Sequence, residues 1–217
     1  MWYTYGVPHY SDYKMTNAYG LTTADRVKAK LSITVTDWDV VLKQYIYSVT
    51  DFLENVCGRR FQQTTYTNEV YDGSNIDGSP KAWLVLRNSP VTTLTSFQYR
   101  TGAKSSPTWV DYQADTYQER LSLGIIRVNL ARGFQNNRVT YTAGYLIDFT
   151  AEYDTTHHTL PYDLSGLAES LVTRMFKKRE SEGRSQEAFN NSSITWGDLL
   201  GPEDKTIIAN YSRTELV

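Results

Sequence analysis

Three histidines, His9, His157 and His158, are the first residues to weigh as metal ligands or bases. His157 and His158 are adjacent, so they cannot share one face of a helix. No carboxylate stands at a spacing that would complete a metal site with them. A nucleophile elbow of the Gly-x-Ser-x-Gly type is absent. So is the Gly-x-x-x-x-Gly-Lys loop that cradles phosphates. The stretch Asp72-Gly73-Ser74-Asn75-Ile76-Asp77-Gly78 carries several oxygens, as a calcium loop does. Ile76 interrupts it and no glutamate closes it, so it reads as a surface turn. Carboxylates are scattered without the pairing that glycan hydrolysis uses. The expectation is a chain with no catalytic residues, no metal and no cofactor: not an enzyme.

Basic residues are the other chemistry-bearing group. Lys177-Lys178-Arg179 follows Arg174 by one helical turn. Three cations at a helix C-terminus are favoured by the helix dipole alone. The functional alternative is a basic patch facing DNA or an acidic partner, with Arg174, Lys177, Lys178 and Arg179 as candidate DNA-channel residues. Arg59 and Arg60 carry the same two readings, a buried salt bridge to a helix carboxylate being the structural one.

The totals set limits on these readings. The 217 residues carry 22 Lys+Arg against 24 Asp+Glu, a net charge of -2. A duplex-DNA binder is expected to be basic, so nucleic acid is not the expected main partner. Mean hydropathy is -0.49, and no apolar run approaches the ~20 residues that span a bilayer. Met1 to Lys14 shows no basic start followed by an apolar stretch, so no signal peptide is expected. Cys57 is the single cysteine; no intrachain disulfide can form, and a reducing compartment is implied.

Tyrosine is abundant, at 17 residues. Trp2, Tyr3, Tyr5, Tyr10 and Tyr13 crowd an N-terminal arm, residues 1–20, that lacks periodicity. Such residues favour places where one end is buried and the other wet. The arm either folds back on its own domain or contacts a neighbouring subunit.

The elements that must position all this are legible from period and punctuation. Thr22 or Thr23 caps a short helix over about 23–31. Thr36 caps a longer one over about 37–57, with Val41, Leu42, Tyr45, Ile46, Val49, Phe52, Leu53 and Val56 as its apolar stripe and Gly58 as its stop. From about 63 to 145 the period becomes that of strands. In the first of them Tyr66, Asn68 and Val70 alternate with Thr65, Thr67, Glu69 and Tyr71. Further strands fall near 82–86, 91–99, 124–128 and 138–142, with 109–117 strand or irregular. A third long helix spans about 162–181, inner stripe Leu164, Leu167, Ala168, Leu171, Val172 and Met175, stopped by Gly183. After a polar linker at 184–198 comes a short helix over about 202–211, with Pro202 first. Trp196, Leu199, Leu200, Ile207, Ile208 and Tyr211 make that tail apolar, and a helix so short needs a docking surface. Its own domain or a partner supplies it. The expected fold is α+β: a small helical bundle with an inserted, largely antiparallel β element and extended N- and C-terminal segments. The organisation is an arm at 1–20, a core at 21–182, and a linker and helical tail at 183–217.

An ordered series of segments carries a family likeness. It runs from the capped helix pair through Gly58-Arg59-Arg60-Phe61, Leu86-Arg87-Asn88-Ser89-Pro90-Val91 and Phe97-Gln98-Tyr99 to Val139-Thr140-Tyr141-Thr142-Ala143-Gly144-Tyr145. Leu160-Pro161 then opens a helix ending in Lys178-Arg179-Glu180, and the last helix ends in Tyr211-Ser212-Arg213. Over about residues 20–213 the chain resembles the head–tail connector (adaptor, or head-completion) proteins of long-tailed double-stranded DNA bacteriophages. That resemblance implies a virion structural protein at the head–tail junction, assembled in the host cytoplasm. It implies a ring, twelve-fold when assembled, beneath the portal protein. It implies a stopper or other tail-side neck protein as the next partner, DNA passing through without sequence-specific binding, and no membrane. It also implies a C-terminal segment that reaches the portal, which makes Trp196, Leu199, Leu200, Ile207, Ile208, Tyr211 and Arg213 candidate partner-binding residues. Two other classes stand beside it: a β-rich ligand-binding module using exposed aromatics, and a glycan hydrolase using a carboxylate pair.

Overall fold

The computed structural model describes residues 19–75, 77–79, 81–103, 105–150, 156–179 and 199–213. Four helices and seven strands follow in chain order: α1 (Ala24–Leu31), α2 (Asp39–Cys57), β1 (Thr64–Tyr71), β2 (Trp83–Val85), β3 (Val91–Thr101), β4 (Thr108–Asp111), β5 (Gln118–Arg120), β6 (Ile125–Arg127), β7 (Asn137–Ala143), α3 (Tyr162–Arg179) and α4 (Pro202–Tyr211). The fold is α+β, as expected.

α1 starts where the sequence suggests. The Thr23 hydroxyl accepts from the Arg26 N–H at 3.3 Å, and Ser32 ends the helix in the left-handed region at φ 58°. For α2 the start differs. Thr36 does not cap it; its carbonyl accepts from the Asp39 N–H in a turn, and the helix begins at Asp39. The first-turn carboxylate is instead fixed by Lys28, whose Nζ lies 2.8 Å from Asp39 Oδ1. Leu42, Ile46, Val49 and Leu53 form the buried stripe as read, with Cys57 at its end. Val56 was expected inside and is 47% exposed. The i, i+4 rhythm from Val49 and Leu53 reaches Cys57, one residue further on.

The helices share one apolar core. Leu21, Val27, Leu42, Val49, Leu53, Phe61, Leu160, Leu164, Leu171 and Val172 are all fully buried in it. Phe176 also joins it, and its ring meets Trp38 edge-on at 5.7 Å.

The β element is two sheets rather than one. A four-stranded antiparallel sheet has the order β1-β7-β3-β4, and a three-stranded one the order β2-β6-β5. β4 opens the 109–117 stretch read as strand or irregular, and β5 follows that stretch, where no strand is expected. Their apolar faces meet in a second core that includes Leu84, Leu86, Val91, Phe97, Ile126, Val139 and Tyr141. Central β7 alternates strictly, with Asn137, Val139, Tyr141 and Ala143 buried. β1 does not. Tyr66 pairs with Tyr141 but Glu69 with Val139, so an extra residue is accommodated near Asn68, which takes φ 54°. This bulge moves Glu69 and Tyr71 to the face that Tyr66 occupies.

The two cores are joined at one place. Two chain segments, 58–63 and 143–147, run side by side there. The Tyr145 N–H donates to the Phe61 carbonyl at 2.6 Å, and the Gln63 N–H donates to the Tyr145 carbonyl at 2.9 Å. Gly144 has φ 107°, and a β-carbon on it would lie 2.7 Å from the Gln62 carbonyl. Only glycine fits that crossing.

Candidate functional site

The C-terminal tail is packed on its own helical core. α4 spans Pro202–Tyr211 as expected. Leu199 and Ile208 are buried against the helices, and Leu200, Ile207 and Tyr211 pack beside them. Polar contacts fasten the same helix. The Asp204 carboxylate accepts from the Gly201 N–H at 2.7 Å, closing the helix start, and is paired with Arg174 of α3. Arg174 Nη1 also donates to the Leu199 carbonyl at 2.7 Å. The Tyr211 hydroxyl donates to Asp163 at 2.7 Å, and the Arg213 N–H to the Cys57 carbonyl at 2.8 Å. Burial opposes the charge of Asp204, but the Arg174 hydrogen bond, the Gly201 N–H and the Arg174 charge outweigh it and hold the carboxyl below its ordinary value. Six of the tail residues singled out for partner binding, Leu199, Leu200, Ile207, Ile208, Tyr211 and Arg213, thus contact the domain that carries them. Trp196 lies outside the described residues.

The basic run is also partly committed. Arg174 belongs to the Asp204 pair. The Arg179 guanidinium lies 3.9 Å from the ring centre of Trp38 and 4.6 Å from that of Phe176. Lys177 is exposed. Cation–π stacking holds the Arg179 charge to the helix bundle.

At the joint between the cores, Arg59 is buried with no carboxylate partner among the described residues, unlike the salt bridge considered for it. Its Nη1 donates to the Ser89 carbonyl at 2.9 Å and to the Ser89 hydroxyl at 2.8 Å. Its guanidinium also lies over Phe61 and Tyr211, at 5.4 and 5.7 Å. Glu54, which the sequence reading passed over, organises the other side. Its carboxylate accepts from the Phe61 N–H at 2.8 Å and from the Tyr19 hydroxyl. Burial raises the Glu54 carboxyl above its usual value and pushes the Tyr19 phenol well above its own.

Across the two sheets a second carboxylate is shared. Glu69 Oε2 accepts from the hydroxyls of Tyr71 and Tyr141, the latter at 2.7 Å, while Oε1 lies 2.9 Å from Arg87 Nη1. Arg87 stacks over Tyr71 at 4.8 Å. Burial and the carboxylate beside them push both phenols far above their ordinary values. Only the bulge in β1 brings Glu69 to this face, and the regular alternation gave no sign of it. Beside this network lies a cleft of about 880 Å³, with Tyr66, Val70, Arg60, Lys81, Phe134 and Arg213 on its walls.

The remaining candidates resolve into local structure. His158 is buried, and its Nδ1 accepts from the Asp148 N–H at 3.1 Å. His157 Nδ1 is 2.8 Å from the Thr156 hydroxyl. Asp77 accepts from the Ser79 hydroxyl and N–H, which hold its carboxyl below the ordinary value, and Asp72 accepts from the Gln135 N–H. Asp77 closes a local turn, and Asp72 ties its loop to the distant one at Gln135. Among the described residues no group of three or more His, Cys, Asp or Glu side chains is arranged to hold a metal ion. A second, smaller hollow of about 410 Å³ is walled by Tyr99 and Tyr112, but the Tyr112 hydroxyl is spent on Asn137 and the Ala131 N–H. Trp2, Tyr3, Tyr5, Tyr10 and Tyr13 lie outside the described residues. No described helix is long and apolar enough to cross a membrane.

No protein-family model matches the chain, and no curated protein matches it. Several chains of solved structures are similar at low level, two of which follow. One is a chain from the "Neck of empty GTA particle computed with C6 symmetry", with 13% identity and TM-score 0.48 over 89% of this chain and 90% of that one. The other is from the "Virion of native gene transfer agent (GTA) particle", with 12% identity and TM-score 0.44 over 84% of this chain and 82% of that one. At these scores neither likeness carries an argument about function.

Proposed function

We propose that this protein is a structural head-to-tail adaptor of a bacteriophage neck. It forms a ring beneath the portal, extends the DNA channel, and binds a stopper or other tail-side neck protein. The observation that carries the reading is where the resembling segments fall. Gly58-Arg59-Arg60-Phe61, Asn88-Ser89-Pro90 and Ala143-Gly144-Tyr145 are the joint between the helical core and the sheets. They are bonded to one another through backbone groups and Arg59. A connector needs a rigid joint of this kind, because force and register pass through it from one partner to the next.

The strongest-held carboxylates, Glu54, Glu69 and Asp204, are each bonded within the fold. They brace elements, as expected for a structural part that turns over no substrate. A closed ring also requires two different contact patches on each subunit. The Tyr-rich arm and the β loops are the candidate patches for a copy number of twelve. The tail then has two states: docked as described, or released toward the portal. Lys177 and Lys178 are the candidate residues of the basic run for facing passing DNA. A lining so sparsely charged limits the salt-dependent grip that many phosphate contacts would create.

The deciding experiment mixes the purified protein with portal rings encoded by the same genome and measures the mass of the complex. A defined complex with one copy per portal subunit is the expected result. Absence of any complex with intact portal rings would sink the portal-adaptor reading.

A further inference from the structure

The cleft beside β1 has the opposite charge to the chain that bears it. Four cations, Arg60, Lys81, Arg87 and Arg213, and two carboxylates, Glu69 and Asp72, are on its walls, an excess of two positive charges (4 − 2). The whole chain carries -2. Both carboxylates are engaged: Glu69 by Arg87 and two tyrosine hydroxyls, Asp72 by the Gln135 N–H. Arg60, Lys81 and Arg213 have no ion pair among the described residues, and Asp51 and Glu54 attract Arg60 only at longer range.

Three further features bear on what this surface could hold. Arg213 Nε is buried with no hydrogen-bond acceptor among the described residues, a costly state for a charged donor. Phe134 stands 65% exposed on the cleft wall, an apolar ring among cations. The floor strand β1 is the outer strand of its sheet and is paired on one side only. An outer strand offers backbone groups to an extended chain.

We propose that this cleft is a docking groove for an acidic, extended peptide segment of a partner protein. Carboxylates meet Arg213, Lys81 and Arg60, and one apolar side chain rests on Phe134. Volume and the mixed lining favour a peptide over a nucleic acid. A duplex is too broad to enter, and an exposed phenylalanine gives phosphates nothing. The proposal deepens the adaptor reading and rests on it only for where the partner comes from.

The test uses the full-length protein and a fluorescein-labelled peptide of glutamates around one central phenylalanine, followed by anisotropy at low salt. The glutamate peptide binds and its glutamine counterpart does not. Arg213→Gln and Lys81→Gln each weaken binding about tenfold, the range for losing one charge-assisted contact. Lys205→Gln, on the exposed side of α4, leaves it unchanged, and circular dichroism shows all variants folded. Binding that is absent, or equal in the cleft variants, overturns the proposal. So does a duplex oligonucleotide that binds more tightly through the same residues. So does a change of sedimentation in the cleft variants alone, which would make the cleft a contact between copies. A protein that takes the peptide but ignores portal rings would leave the groove standing and sink the neck assignment; the reverse result would separate the two the other way.

Discussion

The thiol of Cys57 donates to the carbonyl of Ile208 at 3.7 Å, so the single cysteine of the chain sits beneath its tail helix. Cys57 is 1% exposed, and burial raises its thiol above the ordinary value. It is therefore inert while α4 is docked and uncovered when α4 leaves. Its labelling by a disulfide reagent at fixed pH reads the two tail states directly. Slow labelling of the free protein is expected, and fast labelling in the portal complex if the tail is released there. Unchanged slow labelling in a stable complex would mean that the tail stays docked and another surface meets the portal.

Asp204→Asn removes the pair with Arg174 and weakens the helix start. The expected cost is about 1–2 kcal/mol, discounted for the half-exposed guanidinium. Cys57 labelling should then accelerate by about tenfold, since 1.4 kcal/mol of local opening is one decade. An unchanged rate would show that apolar packing of Leu199 and Ile208 alone holds the tail.

Acidification tests the same pair. The folded Asp204 carboxyl sits below its ordinary value of 3.8, so its contribution is present above that pH and is lost as pH falls through the lower folded value. The difference in urea midpoint between the native protein and Asp204→Asn should shrink as pH drops below about 4. A difference that persists at the lowest pH would place the effect in packing and not in charge.

Glu54 behaves with the opposite sign. Burial raises its carboxyl above 4.5, so the neutral form is favoured in the fold, and its ionisation costs stability as pH rises through that raised value. Glu54→Gln keeps an acceptor for the Phe61 N–H and the Tyr19 hydroxyl, and is expected to cost less than about 1 kcal/mol at neutral pH. Glu54→Ala leaves both donors unpaired and should cost about 2–3 kcal/mol. Equal losses in urea titration would show that the charge itself is needed.

Gly144→Ala forces a side chain against the Gln62 carbonyl from a backbone at φ 107°. A loss of about 3 kcal/mol or failure to fold is expected. Gly166, in α3 with open space around it, is the control: Gly166→Ala should stabilise by about 0.5–1 kcal/mol. A harmless Gly144→Ala would show that the joint between the cores yields.

Residue chemistry explains which features were legible. The helices came from period and caps. Thr23, Gly58 and Pro202 stand where hydroxyl, left-handed backbone and missing N–H are each wanted. β7 was clear because one face is buried throughout. Thr36 misled because a capping hydroxyl is common just before a helix, while here a backbone turn through Trp38 does the same work. β1 misled at its bulge, where one extra residue inverts every later side chain. β2 and β6 fall where strands are expected, but β5 is too short to show a period, and the division into two sheets is set by pairing between distant strands. Of the candidate site, the apolar tail was visible, but Glu54 and Glu69 carried no local signal, because Tyr19 and Tyr141 lie far along the chain, and the position of Asp204 as a helix-start carboxylate says nothing of its pairing with Arg174.

The sequence by itself determined the class of the protein: α+β, helices at both ends of a β insert, one cysteine, a balanced charge and an apolar tail in need of a surface. Those properties follow from period and composition, which act over a few residues. Which surface the tail meets, which carboxylates are buried, and that four cations share one cleft were decided by tertiary structure alone. Arg174 and Asp204 meet only when α4 packs on the helical core, and Lys81 and Arg213 reach one cleft only when the helical core and the sheets meet at the joint beside Gly144. Long-range packing sets those distances, and no spacing along the chain encodes them.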